Sequence, residues 1–218
     1  MIVGSTGPAS GDGRYGPFPP GFFSRTDGDD DRVFYEPSRL VTHIDERAIA
    51  GVARLYRHLG LEGRILDLMS SWISHFPAAP EALVTLGMNR AELEANTDAA
   101  GAVLVDLNRH QGLPFATDAF DAAVCCVSVD YLTRPLEVFD EVARVVRPGG
   151  VFCCSFSNRC FPTKAIAGWL MSGDQDHVRM VAKYFELSGP WRDVTASAVI
   201  EADGAGDPLY AVWATSDG

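Results

Sequence analysis

Residues Gly112 to Gly150 read GLPFATDAFDAAVCCVSVDYLTRPLEVFDEVARVVRPGG, and they carry the strongest structural signal in the chain. The apolar run Ala122 to Val127 predicts a buried strand. Pro135 to Val146 predicts a helix, because its apolar residues recur at helical spacing, and Pro148-Gly149-Gly150 ends that helix before another apolar run. This strand, helix and strand form one unit of an α/β domain.

The same alternation extends in both directions from this unit. An amphipathic helix is expected from Val41 to Leu59 and another from Asp174 to Phe185. Two β runs at the end of the chain are joined by residues 203–207, which predicts a hairpin. The sequence therefore indicates an α/β fold with a doubly wound, mostly parallel, seven-stranded sheet that ends in an antiparallel hairpin. The predicted strands are Arg64 to Leu68, Ala82 to Leu86, Ala102 to Asp106, Ala122 to Val127, Val151 to Phe156, Thr195 to Ala202 and Pro208 to Thr215.

Length and charge narrow the class of protein. The 218 residues suit one domain, which we place at residues 32–218 after a flexible or loosely docked arm, residues 1–31, rich in Gly, Pro, Ser and Asp. A net charge of −11 argues against nucleic acid, whose recognition depends on Lys and Arg. Long apolar runs and a basic, apolar leader are missing, so we expect a cytoplasmic protein with no membrane partner. A small molecule is the expected ligand, and the oligomeric state is left open.

Five cysteines, at positions 125, 126, 153, 154 and 160, lie in or near apolar runs. Reduced thiols in the core are the favoured interpretation. Neighbouring residues on a strand point to opposite faces, so a tetrahedral metal site is disfavoured and we predict no metal. Redox chemistry is the remaining alternative.

The order and spacing of several short motifs resemble class I S-adenosylmethionine-dependent methyltransferases, specifically the type 11 branch. These motifs are Leu113-Pro114-Phe115, Phe120-Asp121, Glu141 with Arg144, and Arg147-Pro148-Gly149-Gly150. The likeness extends from about Arg64 to the carboxy terminus. It implies a Rossmann-like methyltransferase fold with S-adenosylmethionine as cofactor.

The loop that should hold this cofactor is altered. In the family, the first strand ends in an acidic residue followed by three alternating glycines, which let the backbone approach the ligand. Here Asp67 keeps the acidic position, but Met69, Ser71 and Ile73 replace the glycines. The resemblance implies that Asp67 orients the cofactor amino group, although it could also cap the next turn. Ser70 and Ser71 could donate hydrogen bonds to the cofactor carboxylate, and Trp72 is either a ligand wall or a packing residue.

Two further cofactor contacts are implied by the family pattern. The acidic residue that ends the second strand is replaced by Gly87, in the segment Gly87-Met88-Asn89, where Asn89 could bind the ribose or cap a helix. Asp106-Leu107 stands where the family places an Asp and a backbone amide at the adenine. Ser128, after the fourth strand, completes the predicted cofactor contacts.

Catalytic and substrate groups are expected at the carboxyl ends of the fourth and fifth strands and in the segment before the first helix. Asp130 and His43 are the candidate bases, with a solvated loop Asp and a packing His as the alternatives. His75 and His110 are weaker candidates. Arg159 could hold a substrate carboxylate through its planar fork or remain in solvent. The predicted substrate contacts are Tyr35, Tyr131, Asn158 and Arg159.

The sequence thus favours methyl transfer from S-adenosylmethionine to a small molecule. Two alternatives keep the fold. One is a pseudoenzyme or interaction subunit whose loop changed because no ligand binds there, and the other is an enzyme of non-methylating chemistry such as cyclisation or elimination.

Overall fold

The computed structural model describes residues 13–109 and 112–218 and contains a seven-stranded sheet in the order β3-β2-β1-β4-β5-β7-β6. Strands β1 to β5 are parallel, whereas β7 is antiparallel to both β5 and β6. This confirms the predicted fold class. The strands are β1 (Arg64–Leu68), β2 (Ala82–Gly87), β3 (Ala99–Leu104), β4 (Phe120–Cys126), β5 (Val146–Phe156), β6 (Trp191–Ile200) and β7 (Leu209–Ser216).

Helices cover both faces of the sheet. They are α1 (Asp31–Tyr35), α2 (Glu46–His58), α3 (Arg90–Ala95), α4 (Pro135–Val145), α5 (Ala167–Leu170) and α6 (Asp174–Leu187). Along β1 the side chains alternate, so Ile65 packs in the cluster that contains α2, whereas Leu66 and Leu68 pack with α4 and α6. No helix in the described residues is long and apolar enough to cross a membrane.

The crossover from β1 to β2 differs from the expected βα pattern, because residues 69–81 contain no helix. Pro77 and Pro80 lie in this segment, and proline removes a backbone donor and breaks helices. The predicted third strand, Ala102 to Asp106, also begins three residues after the observed strand β3. β3 is an edge strand that begins at Ala99 and consists largely of small, exposed residues, so hydrophobic alternation gives no signal for it.

The motif residues shared with the methyltransferase family have structural roles here. Glu141 and Arg144 on α4 hold the segment before β4: the Glu141 carboxylate accepts from the Leu113 amide at 2.7 Å, and Arg144 donates to the Phe115 carbonyl at 2.9 Å. Asp121 accepts from the Arg64 amide at the start of β1 at 2.7 Å. These contacts explain why the motif indicates the fold rather than the reaction.

The segment before α1 is docked rather than loose over the part that the structure describes. Phe23 is buried, and Tyr15, Phe18 and Phe22 pack against the core that contains α4 and α6. Arg25 forms a β-bridge with Ile166. Residues 13–31 therefore belong to the folded body, whereas residues 1–12 of the predicted arm lie outside the described residues.

Candidate functional site

A cavity of about 620 Å³ opens at the carboxyl ends of β1, β2 and β4, beside the point where the strand order reverses. Open α/β sheets bind ligands at this edge, and the volume suits a drug-sized molecule. Residues 35–45 form one side of the cavity, and Arg159 to Phe161, after β5, form another. Most of the predicted site residues line it, namely Tyr35, His43, Asp67, Met69, Ser70, Ser71, Trp72, Gly87, Met88, Asn89, Asp106, Leu107, Ser128, Tyr131 and Arg159.

The loop after β1 keeps the backbone shape that glycine would give, although it contains none. Met69 has φ of 53°, in the left-handed region that costs a non-glycine residue about 1–2 kcal/mol. The Ser70 amide donates to the Leu86 carbonyl at 2.8 Å, which ties the loop to β2. Ser70 Oγ donates to the Asp67 carboxylate at 2.7 Å. The altered sequence therefore forms an ordered turn over the end of β1.

Gly87 is required by this turn. A Cβ atom at position 87 would lie 2.5 Å from the Ser70 carbonyl oxygen and 3.1 Å from Leu93 Cδ2. The acidic side chain that the family carries at the end of β2 is therefore incompatible with the backbone path of residues 69–71.

Substituting Gly87→Ala is expected to destabilise the protein by about 1–3 kcal/mol, because the Ser70 backbone must move to admit a methyl group. Chemical denaturation measures this loss. Gly101→Ala on β3 is the matched control, since a Cβ atom there meets nothing within 4 Å, and it should change stability little. Equal effects of the two substitutions would refute the close approach of residues 70 and 87.

Asn89 is fully engaged within the protein. Its Oδ1 accepts from the Glu92 amide at 3.1 Å, which caps α3, and its Nδ2 donates to the Tyr35 and Glu36 carbonyls at 2.8 and 3.0 Å. Asn89 therefore caps α3, and its side-chain amide also holds residues 35 and 36 of the segment that covers the cavity. Asn89 has no free donor for a ribose.

Glu92 also lines the cavity, although it was not among the predicted site residues. Its carboxylate accepts from Ser71 Oγ at 2.7 Å and from the Arg39 amide at 2.6 Å. It thus joins the β1 loop, α3 and the segment before α2. The Asn89-x-x-Glu92 spacing, typical of a capping box, was the available signal, but the side chain turns to the cavity instead of to the Asn89 amide.

Burial alters the two predicted acidic anchors. Asp67 is buried, and desolvation raises its pKa to about 6, partly offset by hydrogen bonds from Ser74 and Ser70. Burial also raises the pKa of Asp106, whose Oδ1 accepts from the Asn108 amide at 2.9 Å. Asp106 Oδ2 is buried and accepts no hydrogen bond within the described protein, and Arg109 Nε lies 3.5 Å away. A ligand amino group would satisfy this oxygen.

Aromatic side chains and His43 form another part of the cavity lining. The Tyr131 and Phe161 rings stack at 5.9 Å, and His43 meets the edge of Phe161 at 5.3 Å. Burial lowers the pKa of His43, so its imidazole is neutral at pH 7 and can accept a proton. Trp72 lines the cavity and donates through Nε1 to the Val41 carbonyl at 3.1 Å. Its ring therefore forms part of the cavity wall, and its hydrogen bond connects the β1 loop to the segment before α2.

Strained backbone concentrates at this cavity. Of the five non-glycine residues with positive φ in the described chain, Met69, His75 and Val127 line it. Val127 is branched at Cβ and has φ of 46°, a costly conformation that persists only where the surroundings impose it. Such clustering is typical of ligand sites.

The structure corrects two of the predicted site residues. Asp130 does not line the cavity: it is 2 % exposed in the short 3-10 helix Val129–Tyr131, so it is neither a solvated loop residue nor a base at this site. Asn158 is exposed outside the cavity. Arg159 lines the cavity, but its Nε already donates to Asp207 at 2.8 Å. His110 lies outside the described residues.

The cysteines are free thiols, of which Cys125, Cys153 and Cys154 are buried. This agrees with their interpretation as core residues. Cys126 and Cys160 are partly exposed and line the cavity. In residues 13–109 and 112–218 no group of three or more His, Cys, Asp or Glu side chains has the arrangement of a metal site.

Comparison with known proteins confirms the family resemblance. A family model described as "Methyltransferase domain" matches residues 74–154. The ubiquinone/menaquinone biosynthesis C-methyltransferase UbiE of Roseobacter denitrificans is 37% identical over 70 residues, which are 32% of this chain and 27% of that protein. The chain therefore aligns with only about a quarter of the length of this curated relative.

Solved structures show the same fold at low sequence identity. An S-adenosylmethionine-dependent methyltransferase of Archaeoglobus fulgidus superimposes with a TM-score of 0.56 at 14% identity, over 78% of this chain and 94% of that one. The cyclase SpnF superimposes with a TM-score of 0.54 at 15% identity, over 83% of this chain and 88% of that one. These structures show the fold, and the methyltransferase family model matches residues 74–154 of this chain.

Proposed function

We propose that this protein transfers a methyl group from S-adenosylmethionine to a small-molecule acceptor. The observation that carries the proposal is the cavity at the carboxyl ends of the strands, where Asp67 and Asp106 lie beneath a cover formed by residues 35–45. The cavity is open rather than filled by an apolar side chain, which argues against a pseudoenzyme that has lost its ligand.

The residues present fit this cofactor. Asp106 offers a buried carboxylate oxygen without a hydrogen-bond donor, which suits the adenine amino group, and the adjacent Leu107 supplies a backbone amide. Asp67 and the loop Ser70-Ser71-Trp72 would hold the methionine end. Glu92 brings the carboxylate that Gly87 cannot provide to the same region of the cavity.

Bound S-adenosylmethionine supplies an electrophilic methyl group on its sulfonium. The chain then needs to align an acceptor and, where the acceptor carries a proton, to remove it. His43 faces the cavity with a lowered pKa, so it is a neutral base at pH 7. The cover over the cavity and the net charge of −11 favour a small acceptor over nucleic acid.

Asp106→Ala is expected to weaken binding of S-adenosylhomocysteine by roughly tenfold to a hundredfold, because a charged acceptor for the adenine amino group is lost. Calorimetric titration measures the affinity. Asp98→Ala, a carboxylate outside the cavity lining, is the control and should bind like the wild type. Unchanged affinity in the Asp106 variant would remove Asp106 from the cofactor site.

The activity itself is tested with S-adenosylmethionine labelled in its methyl group and the small-molecule fraction of a cell extract. Label should pass to a small product while S-adenosylhomocysteine accumulates. Binding of S-adenosylmethionine without label transfer to any acceptor would instead support the non-methylating alternative.

A further inference from the structure

Arg39 and Arg159 both line the cavity, but the Arg39 guanidinium, unlike that of Arg159, has no carboxylate partner among the described residues. Its guanidinium donates to two backbone carbonyls, Phe34 at 2.9 Å and Pro37 at 3.2 Å. A guanidinium carries five N–H donors, so donors remain for a ligand. Arg159, by contrast, is already paired with Asp207 at 2.8 Å.

Aromatic rings hold the Arg39 guanidinium in place. Its central carbon lies 4.6 Å from the Phe34 ring centroid and 5.5 Å from that of Phe161. The Arg39 backbone amide is fixed separately, by its hydrogen bond to Glu92 at 2.6 Å. A guanidinium stacked on rings keeps its planar fork ordered, which favours bidentate binding of a carboxylate or phosphate.

Two acids of the cavity lining, Asp31 and Asp207, are already neutralised by basic side chains. Asp31 is paired with Arg25 at 2.8 Å and with Lys164 at 2.9 Å, and Asp207 is paired with Arg159. Asp45 and Glu92 also line the cavity and form no ion pair with Lys or Arg among the described residues, and Glu92 accepts from the Arg39 backbone amide at 2.6 Å. Asp67 lies near the end of β1 and Asp106 follows β3, where we place the cofactor, and Arg109 Nε lies 3.5 Å from Asp106. An anion at Arg39 thus faces aromatic rings and two paired acids, and Glu92 is the acid without an ion pair that contacts the Arg39 backbone.

A flat wall continues from Arg39 into the cavity. Phe161 contacts Phe34 at 5.3 Å, Tyr131 at 5.9 Å and His43 at 5.3 Å between ring centroids, and Tyr131 and Phe161 both line the cavity. Stacked and edge-on rings of this kind bind planar molecules through their faces. Phe161 follows β5, which β4 separates from β1, whereas Asp67 lies on β1 and Asp106 follows β3.

We propose that the methyl acceptor is a small aromatic acid, whose carboxylate or phosphate pairs with Arg39 and whose ring packs against Phe161 and Tyr131. This inference rests on the proposed function, because it assigns this part of the cavity to the acceptor. In this arrangement His43, whose ring contacts Phe161, lies beside the bound aromatic ring.

The test uses calorimetry on the full chain, both alone and saturated with S-adenosylhomocysteine. Benzoate and phenyl phosphate are the aromatic anions, benzamide is the neutral ring and acetate is the anion without a ring. We expect one or both aromatic anions to bind, and benzamide and acetate to bind at least roughly tenfold more weakly. The tighter of the two aromatic anions identifies the acidic group.

Variants separate Arg39 from its matched control. Arg39→Gln should weaken aromatic-anion binding by roughly tenfold to a hundredfold, whereas Arg179→Gln, at an arginine on α6 outside the cavity lining, should stay within about threefold of the wild type. Arg39→Lys keeps the charge but not the fork and should bind at an intermediate level. If the glutamine variant does not fold, the lysine variant and the wild-type preference for benzoate over benzamide decide the question.

Three results would overturn the inference. One is the absence of binding by both aromatic anions at millimolar concentration, with or without S-adenosylhomocysteine. Another is equal binding by wild type and Arg39→Gln. The third is loss of S-adenosylhomocysteine binding in Arg39→Gln, which would assign the guanidinium to the cofactor carboxylate. Failure of the wild type to bind S-adenosylhomocysteine would count against the proposed function instead, and the titrations of the free protein would still decide the anion site.

Discussion

Replacing Asp31 by alanine is expected to lower the free energy of unfolding by about 3–5 kcal/mol, because two buried cations lose their counter-charge. Asp31 is 3 % exposed. Its carboxylate contacts Arg25 at 2.8 Å and Lys164 at 2.9 Å, and these side chains are 2 % and 0 % exposed. Lys164 keeps a second partner, Asp27 at 3.0 Å, which places the expected loss towards the lower end. Asn108 Nδ2 also donates to Asp31 at 3.2 Å, so the network joins α1 to the segments after β3 and β5.

The control is Asp29→Ala, an exposed neighbour, which should change stability by less than about 0.5 kcal/mol. Chemical denaturation measures both variants. Because Asp31 lines the cavity, the same variant should also weaken S-adenosylhomocysteine binding. A loss no larger than that of Asp29→Ala would show that the buried ion pairs do not hold this segment.

Acid should weaken the same network. Burial alone would raise the pKa of Asp31, but hydrogen bonds from Arg25 and Lys164 together outweigh it, so the pKa is lowered. A carboxylate with a lowered folded-state pKa stabilises the protein above its unfolded value of about 3.9, and this contribution disappears as the pH falls through the folded-state pKa. The difference in stability between wild type and Asp31→Ala should therefore shrink below about pH 4.

Asp130→Asn is expected to stabilise the protein relative to the wild type by roughly 2–4 kcal/mol more at pH 8 than at pH 5. Asp130 is 2 % exposed, and its Oδ2 accepts no hydrogen bond. Burial raises its pKa to about 8, with a small opposing effect of hydrogen bonds from the backbone and Tyr131. The unfolded chain ionises near pH 3.9, so between these values folding must keep a proton on Asp130.

The direction of this pH effect follows from the raised pKa of Asp130. The favourable contribution of the protonated Asp130 is complete below about pH 4 and is lost as the pH rises towards 8. Asparagine cannot ionise, so its variant should lack this loss. Denaturation of both proteins across this pH range measures the difference. The control is Asp176→Asn, at an exposed carboxylate on α6, and its effect on stability should change by less than about 1 kcal/mol over the same range. A pH-independent effect of Asp130→Asn would show that Asp130 is ionised in the folded protein.

Local sequence patterns predicted most of the sheet and of the site. The bounds of β1 agree, and α4 and α6 begin at the predicted residues, because apolar periodicity marks buried strands and amphipathic helices. The residues that line the cavity are predictable for a topological reason: the carboxyl ends of parallel strands meet at one edge, so residues after them converge. Helix α2 begins at Glu46 instead of Val41, because Asp45 caps it through the Ala48 amide.

The features that the sequence did not predict depend on contacts between distant segments. Arg39 contacts Phe161 and Asp31 contacts Lys164, in each case across more than a hundred residues of sequence. The burial of Asp130 likewise depends on elements packed around it and not on its loop sequence. The turn after β1 forms without glycines because Met69 adopts the left-handed conformation and Gly87 makes room for it.

Calorimetric titration of the purified protein with S-adenosylhomocysteine tests the central claim most directly, because the claim is that the altered loop still forms a cofactor site. We predict saturable binding of one molecule per chain, weakened in Asp106→Ala and retained in Asp98→Ala. No heat with either S-adenosylhomocysteine or S-adenosylmethionine at millimolar concentration would contradict the account.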